Sequence, residues 1–149
     1  MSKKVVAVSS VGGHWTELLR LRSAFDGYET IYITTNHEYR SMVGGSSFYS
    51  IRDFNRKNPW VLAVVIFRLL SIFLRERPDC IISTGAAPGL TALFVGRVLG
   101  IRTVWVESIA NVDELSMSGR VASYIAHRAY VQWPELAGPR LRYAGSILG

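Results

Sequence analysis

Apolar residues along this chain fall into two alternating patterns. Short unbroken runs such as KVVAVS, TIYITT and RTVWVE read as strands buried on both faces, because a strand with one wet face alternates apolar and polar positions. Longer segments with helical spacing lie between them. The pattern predicts strands over residues 4–9, 30–35, 48–51, 80–83, 102–107 and 129–132, with another over 142–145. Helices are predicted over 15–25, 59–76, 88–99 and 118–127. Pro88 in a first turn and Gly100 after a last one fit the asymmetry of helix ends.

Strand and helix in alternation predict an α/β fold, a Rossmann-like parallel sheet with helices on both faces. The 149 residues suit one such domain, spanning 1–149. Ligands of these sheets bind outside the carboxyl ends of the strands. The loops predicted there read SSVGGH, TNH, TGAAP and ESIAN, and all are small, polar or glycine-rich.

In the first loop, Gly12 and Gly13 let a ligand approach the backbone, and the helix behind them brings a partial positive charge. Together they suit an anion. Neither G-x-G-x-x-G nor a P-loop signature is present, and Thr34 and Thr35 stand where an NAD site wants an acid. His14 follows the glycines. It either takes a proton from a hydroxyl or packs locally. In the last loop Glu107 closes an apolar strand, where a carboxylate needs solvent, a partner or a ligand. It is a second candidate base, or a structural ion pair. Ser108 and Asn111 beside it bind a ligand or cap a turn.

The helix over 59–76 is apolar almost all round. From Pro59 to Leu74 only Arg68 and Ser71 are polar, and they share one stripe with Arg75. Arg52, Arg56 and Lys57 precede it, and Arg75 and Arg77 close it. Sixteen residues with an internal Arg are short for a bilayer span, so a flat-lying interfacial helix is expected. Trp60, Phe67, Arg68, Phe73 and Arg75 are the candidate membrane-binding residues. Burial against a partner protein is the other reading.

Charge narrows the partners. The net charge is +6, and Lys3, Lys4 and Lys57 are the only lysines among 17 basic residues. Arginine suits phosphate and anionic surfaces. The arginines here flank a greasy helix and lack aromatic interleaving on a polar face, so no nucleic-acid partner is expected. Cys80 is alone and the three histidines, 14, 37 and 127, have no ligand spacing, so no metal and no cofactor are expected. The first apolar run is too short for a signal peptide.

Three loops carry a resemblance. VSSVGGHWTELLRL resembles the loop opening the acceptor domain of GT-B glycosyltransferases that act on polyprenyl-diphosphate-linked sugars, such as the lipid II glycosyltransferase MurG. Ile82-Ser83-Thr84-Gly85-Ala86, Val106-Glu107-Ser108, Gln132-Trp133-Pro134 and Tyr143-Ala144-Gly145 extend the likeness over nearly the whole chain. The combination is similar to the family of bacterial PssD-type exopolysaccharide proteins. That family includes the membrane-anchoring subunit of the eukaryotic transferase that adds the second GlcNAc to dolichol diphosphate.

The resemblance implies the N-terminal, acceptor- and membrane-binding half of a split GT-B enzyme. A separate chain would bind the nucleotide sugar, and the acceptor would be a polyprenyl-diphosphate-linked saccharide in exopolysaccharide or capsule synthesis. His14 and Glu107 become the catalytic candidates. Gly12, Gly13, Thr84, Gly85, Ser108 and Asn111 become the diphosphate and substrate contacts. The expected location is the cytoplasmic face of the plasma membrane. The eukaryotic subunit has an N-terminal transmembrane anchor; here the first strand starts at Lys4, so attachment is expected to fall to residues 59–76. The alternative is a non-catalytic anchor that only recruits and activates the partner, and a stand-alone nucleotide enzyme is a further rival.

Overall fold

The computed structural model describes residues 3–54 and 57–148. Its strands are β1 (Lys4–Val8), β2 (Glu29–Thr34), β3 (Ser47–Ser50), β4 (Cys80–Ser83), β5 (Arg102–Val106), β6 (Arg128–Val131) and β7 (Arg142–Tyr143). They form one parallel sheet in the order β3-β2-β1-β4-β5-β6-β7. The α-helices are α1 (Gly13–Arg20), α2 (Pro59–Glu76), α3 (Ala86–Val98) and α4 (Met117–Ile125).

The unbroken apolar runs have a simple cause. On central β1, Val6 and Val8 face a core shared with α2 and α3, while Val5 and Ala7 face a second core with Trp15 and Leu18 of α1. Neither face of β1 meets water, so neither can be polar. Cross-strand register continues both layers, with Val6 opposite Ile31 on one side and Ile81 on the other. The Tyr49 hydroxyl donates to Glu76, and Lys4 Nζ lies 3.4 Å from the same carboxylate. These contacts tie the end of α2 to β1 and β3.

Helices lie on both faces, but unequally. The larger core engages α2, α3 and Ala122 of α4 on one face. On the other, α1 packs with the short 3₁₀ turn Arg22–Phe25 and with Tyr39 and Val43, over β1 to β3. Beyond α1, Ile82, Val104 and Tyr130 line an open cavity of about 440 Å³ with Arg20, Leu21 and residues 144–147.

Boundaries moved where local hydrogen bonding overrode periodicity. The helix expected over 15–25 starts at Gly13 and ends at Arg20, where the Leu21 N–H turns back to Leu18. A second 3₁₀ turn, His37–Met42, was not expected; the Asn36 side chain caps it by accepting from the Glu38 N–H.

His127 sits at the foot of β6. Its ring Nδ1 accepts from the Thr103 N–H at 3.0 Å, and its backbone N–H donates to Thr103 Oγ1 at 3.1 Å. Desolvation, and then the charges of Arg97 and Arg102, push its pKa below the ordinary histidine value. The folded state therefore prefers the neutral ring. Its stabilisation is fully present above the unfolded-state pKa of about 6.5 and is lost as pH falls below it. Thermal melts at pH 7.5 and 5.0 should show a larger loss of Tm for the native chain than for His127→Asn.

Candidate functional site

Between β1 and β4 the winding of the sheet reverses. α1 leaves toward one face and α3 toward the other, which opens a crevice at the carboxyl ends of these two strands. His14 and Thr84-Gly85 meet there. His14 Nδ1 lies 3.2 Å from the Thr84 carbonyl oxygen. A carbonyl only accepts, so Nδ1 carries the proton and Nε2 keeps the lone pair. In return, Thr84 Oγ1 donates to the His14 carbonyl at 2.6 Å.

Gly85 makes this seat possible. A Cβ there would stand 2.5 Å from His14 Nδ1, and its φ of +146° is one that other residues rarely adopt. The next residue, Ala86, holds a φ of +68°, an uncommon conformation for a residue with a side chain. Gly12, at φ +79°, occupies the N-cap of α1. Neither α1 nor α3 has a side-chain cap or an acid in its first turn. Two helix N-termini therefore face the crevice with their positive ends uncompensated.

α4 is the contrast. Glu107 is buried at 2 % exposure. Its carboxylate accepts from the Ser116 N–H at 2.9 Å, from Ser116 Oγ, and from the Ser108 N–H at 3.3 Å. Ser116 Oγ in turn accepts from the Gly119 N–H, capping α4. A Cβ on Gly119 would collide with the Glu107 carboxylate. Glu107 is thus buried with both oxygens engaged by Ser108 and Ser116.

The pattern of the sequence did not single out Glu17. It sits one turn after His14 on α1, with 7 % of its surface exposed. Glu17 Oε1 accepts from the Ile109 N–H at 2.7 Å and from Ser108 Oγ at 3.2 Å. The Trp133 indole donates to the Ile109 carbonyl at 2.8 Å, pinning the same loop from β6. Together, Gly13, His14, Glu17, Arg20, Ser108 and Ala110 line an open cavity of about 470 Å³. Thr84 and Gly85 stand behind His14 as its support. Asn111 lies outside this cavity, in the turn closed by its own N–H to Ser108. Among the described residues no group of three His, Cys, Asp or Glu side chains could hold a metal.

α2 resolves into two faces. Val61, Val65, Leu69, Ile72 and Phe73 are buried in the core. Phe73 is only 1 % exposed, which corrects its assignment to membrane binding: a helix apolar all round hides which stripe faces the sheet. The outward face carries Trp60 at 60 % and Phe67 at 71 % exposure, with Val64, Leu74, Arg68 and Arg75. Arg52 stacks over the Trp60 ring at 5.3 Å. Phe94 and Val98 of α3 are exposed as well. Arg56 lies outside the described residues. Among those residues, no helix is long and apolar enough to cross a membrane.

The family model described as "Oligosaccharide biosynthesis protein Alg14 like" matches residues 42–147. The chain belongs to this Alg14-like family. The rat UDP-N-acetylglucosamine transferase subunit ALG14 is 36% identical, with 97% of this chain and 82% of the rat protein covered. The Yarrowia lipolytica subunit of the same name is 34% identical over 97% of this chain and 81% of its own. The human one is 28% identical over 99% and 84%. Among solved structures, Acinetobacter baumannii MurG superposes with a TM-score of 0.81 at 16% identity, covering 96% of this chain. A UDP-N-acetylglucosamine 2-epimerase from Rickettsia bellii superposes at 0.77 and 14%, covering 99%. The chain spans about half of these two structures, 45% and 46%. The fold is that of a MurG-like, GT-B N-terminal domain.

The Alg14-like match includes Thr84-Gly85 and Glu107-Ser108, and the relatives' coverage extends to the Gly12-Gly13-His14 loop. The family model thus covers the Thr84-Gly85 and Ser108 walls, while the Gly12-Gly13-His14 loop and Glu17 lie before it. Because His14 and Glu107 each abut a glycine, adding a methyl at either glycine has a defined consequence. Gly85→Ala should dislodge the imidazole and destabilise the fold by roughly 1–3 kcal/mol. Gly119→Ala should cost a similar amount through α4 without moving His14. Chemical denaturation with histidine-resolved NMR separates the two outcomes.

Proposed function

We propose that this chain is the acceptor- and membrane-binding subunit of a two-component glycosyltransferase. Its partner, a separate nucleotide-sugar-binding GT-B half, supplies the donor. The relatives' names point to UDP-N-acetylglucosamine as that donor, and the family description points to oligosaccharide biosynthesis. The lipid-linked acceptor is what the resemblance to GT-B enzymes of polyprenyl-diphosphate-linked sugars implies. Exopolysaccharide or capsule assembly at the cytoplasmic face of the plasma membrane is the setting that the PssD-type resemblance suggests. The observation that carries the reading is the contact of His14 Nδ1 with the Thr84 carbonyl, which leaves Nε2 as the basic nitrogen, in a crevice between two helix ends that no side chain caps.

The chemistry follows from that arrangement. The diphosphate of the polyprenyl carrier rests against the backbone at Gly12 and Gly13 and the start of α1. The acceptor hydroxyl is held at His14 Nε2. As its oxygen bonds to the anomeric carbon of the donor, the nucleotide diphosphate leaves with the electron pair of the broken bond, and Nε2 takes the hydroxyl proton. Nδ1–H stays on the Thr84 carbonyl throughout, so the ring does not turn. Glu107 keeps α4 and the Ser108 loop in register and exchanges no proton.

The outward face of α2 supplies the membrane contact, with Trp60 and Phe67 entering the interface and Arg68 and Arg75 meeting anionic headgroups. The half-uncovered sheet face beside α1 supports the need for a second chain.

In the assembled pair, His14→Ala should lower kcat by about 10²- to 10⁴-fold, the usual contribution of a general base. Full activity in that variant would instead favour the non-catalytic anchor. Phe67→Asp should weaken binding to phosphatidylglycerol vesicles by about tenfold or more while leaving the melting temperature unchanged. Unchanged flotation would sink the assignment of this face.

A further inference from the structure

Glu17 has a second oxygen that the fold leaves unused. Oε1 is committed to the Ile109 N–H and to Ser108 Oγ. Oε2 is buried without any hydrogen-bond partner. A buried carboxylate oxygen is a strong acceptor in a poorly screened place, and leaving it unmatched is costly. It faces His14: Oε2 lies 3.9 Å from Nδ1, the nitrogen that carries the fixed proton. The i,i+3 spacing on α1 sets that approach, and the helix cannot alter it.

We infer that Glu17 is the positioning residue of the site, its free oxygen matching the charge His14 acquires when the ring takes a second proton. This rests on the reading of His14 as the base. Before transfer the ring is neutral, and the Thr84 carbonyl holds its Nδ1–H. Once Nε2 receives the acceptor proton the ring becomes a cation, and the nearest anionic atom is Glu17 Oε2. The gain is made only when the ring is charged, so it acts on the rate of transfer and not on acceptor binding. Arg20 lines the same cavity, but the structure records no ion pair between it and Glu17 among the described residues. The same side chain also tethers the Ser108 loop through Oε1, so one residue sets both the charge beside the ring and the wall opposite it.

The two jobs separate by substitution. Gln at this position keeps an acceptor for the Ile109 N–H and Ser108 Oγ but carries no charge. In the assembled pair, Glu17→Gln should lower kcat about tenfold or more, with KM for the acceptor and the melting temperature unchanged. In the isolated chain with 15N-labelled histidine, the ring nitrogens of His14 should shift in Glu17→Gln and stay in place in Glu114→Gln, a control on an exposed ion pair. Glu17→Ala, which also frees the loop, should lower the melting temperature. If Glu17→Gln keeps full kcat and leaves the His14 nitrogens unmoved, Glu17 is only a loop tether and the inference is overturned. If His14→Ala retains full transfer while Glu17→Gln still moves the His14 signals, the contact stands and the base assignment is what fails.

Discussion

The candidate site hangs on a missing side chain. Gly85 leaves room for the imidazole of His14, and Thr84 holds that residue twice, its carbonyl at ring Nδ1 and its hydroxyl at the backbone carbonyl. These contacts join the loops that follow β1 and β4, the two strands whose helices leave for opposite faces. Once they are joined, the start of α1 cannot pivot away from the start of α3. The uncapped N-termini, the tautomer of His14 and one wall of the cavity all follow from that single interlock. The unusual backbone at Ala86 is the local cost of bringing α3 close enough.

Two buried carboxylates stand beside the site, and among the described residues neither makes an ion pair with arginine or lysine. Glu107 is satisfied at both oxygens by N–H and hydroxyl donors of Ser108 and Ser116, whereas Glu17 is satisfied at Oε1 alone, by Ile109 and Ser108, with Oε2 left unmatched. Hydrogen bonds from neutral donors let an anion be buried without fixing a long cationic side chain beside it. Both acids act on one segment. Glu107 links the end of β5 to α4, and Glu17 links the loop after β5 to α1. In a basic protein this keeps arginine out of the floor of the crevice, with Arg20 at its rim.

Much of this was legible in the sequence because it rests on local rules. The strands show themselves as unbroken apolar runs, since both faces of the sheet are dry at β1, and the ligand edge follows from small polar loops after each strand. What stayed hidden depends on contacts distant in sequence. Phe73 reads like Phe67 along the chain, and only packing against the sheet tells which turns inward. Glu17 sits inside TELLRL, where an acid ordinarily marks the wet side of an amphipathic helix; its partners are some ninety residues away. Glu107 stands out at the end of an apolar strand, but its role depends on Ser116 arriving beneath it. A buried acid and a functional acid look alike until their hydrogen-bond partners are known.

The placement of α2 gives these pieces a common direction. In a parallel sheet every helix returns from the carboxyl edge to the amino edge, so α2 begins on the edge where the crevice opens. Trp60, in its first turn, with Arg52 stacked on its ring, therefore lies at the same end of the molecule as His14. The proposed acceptor, with its prenyl tail in a bilayer and its diphosphate at a helix N-terminus, needs an apolar, arginine-flanked surface on the same edge as the site. A helix with the same composition leading away from the crevice would hold the protein at a membrane but carry the reaction out of the lipid's reach. In the proposed function the greasy face of α2 and the histidine serve one acceptor, and the direction of a parallel crossover sets the start of α2 and His14 on the same edge.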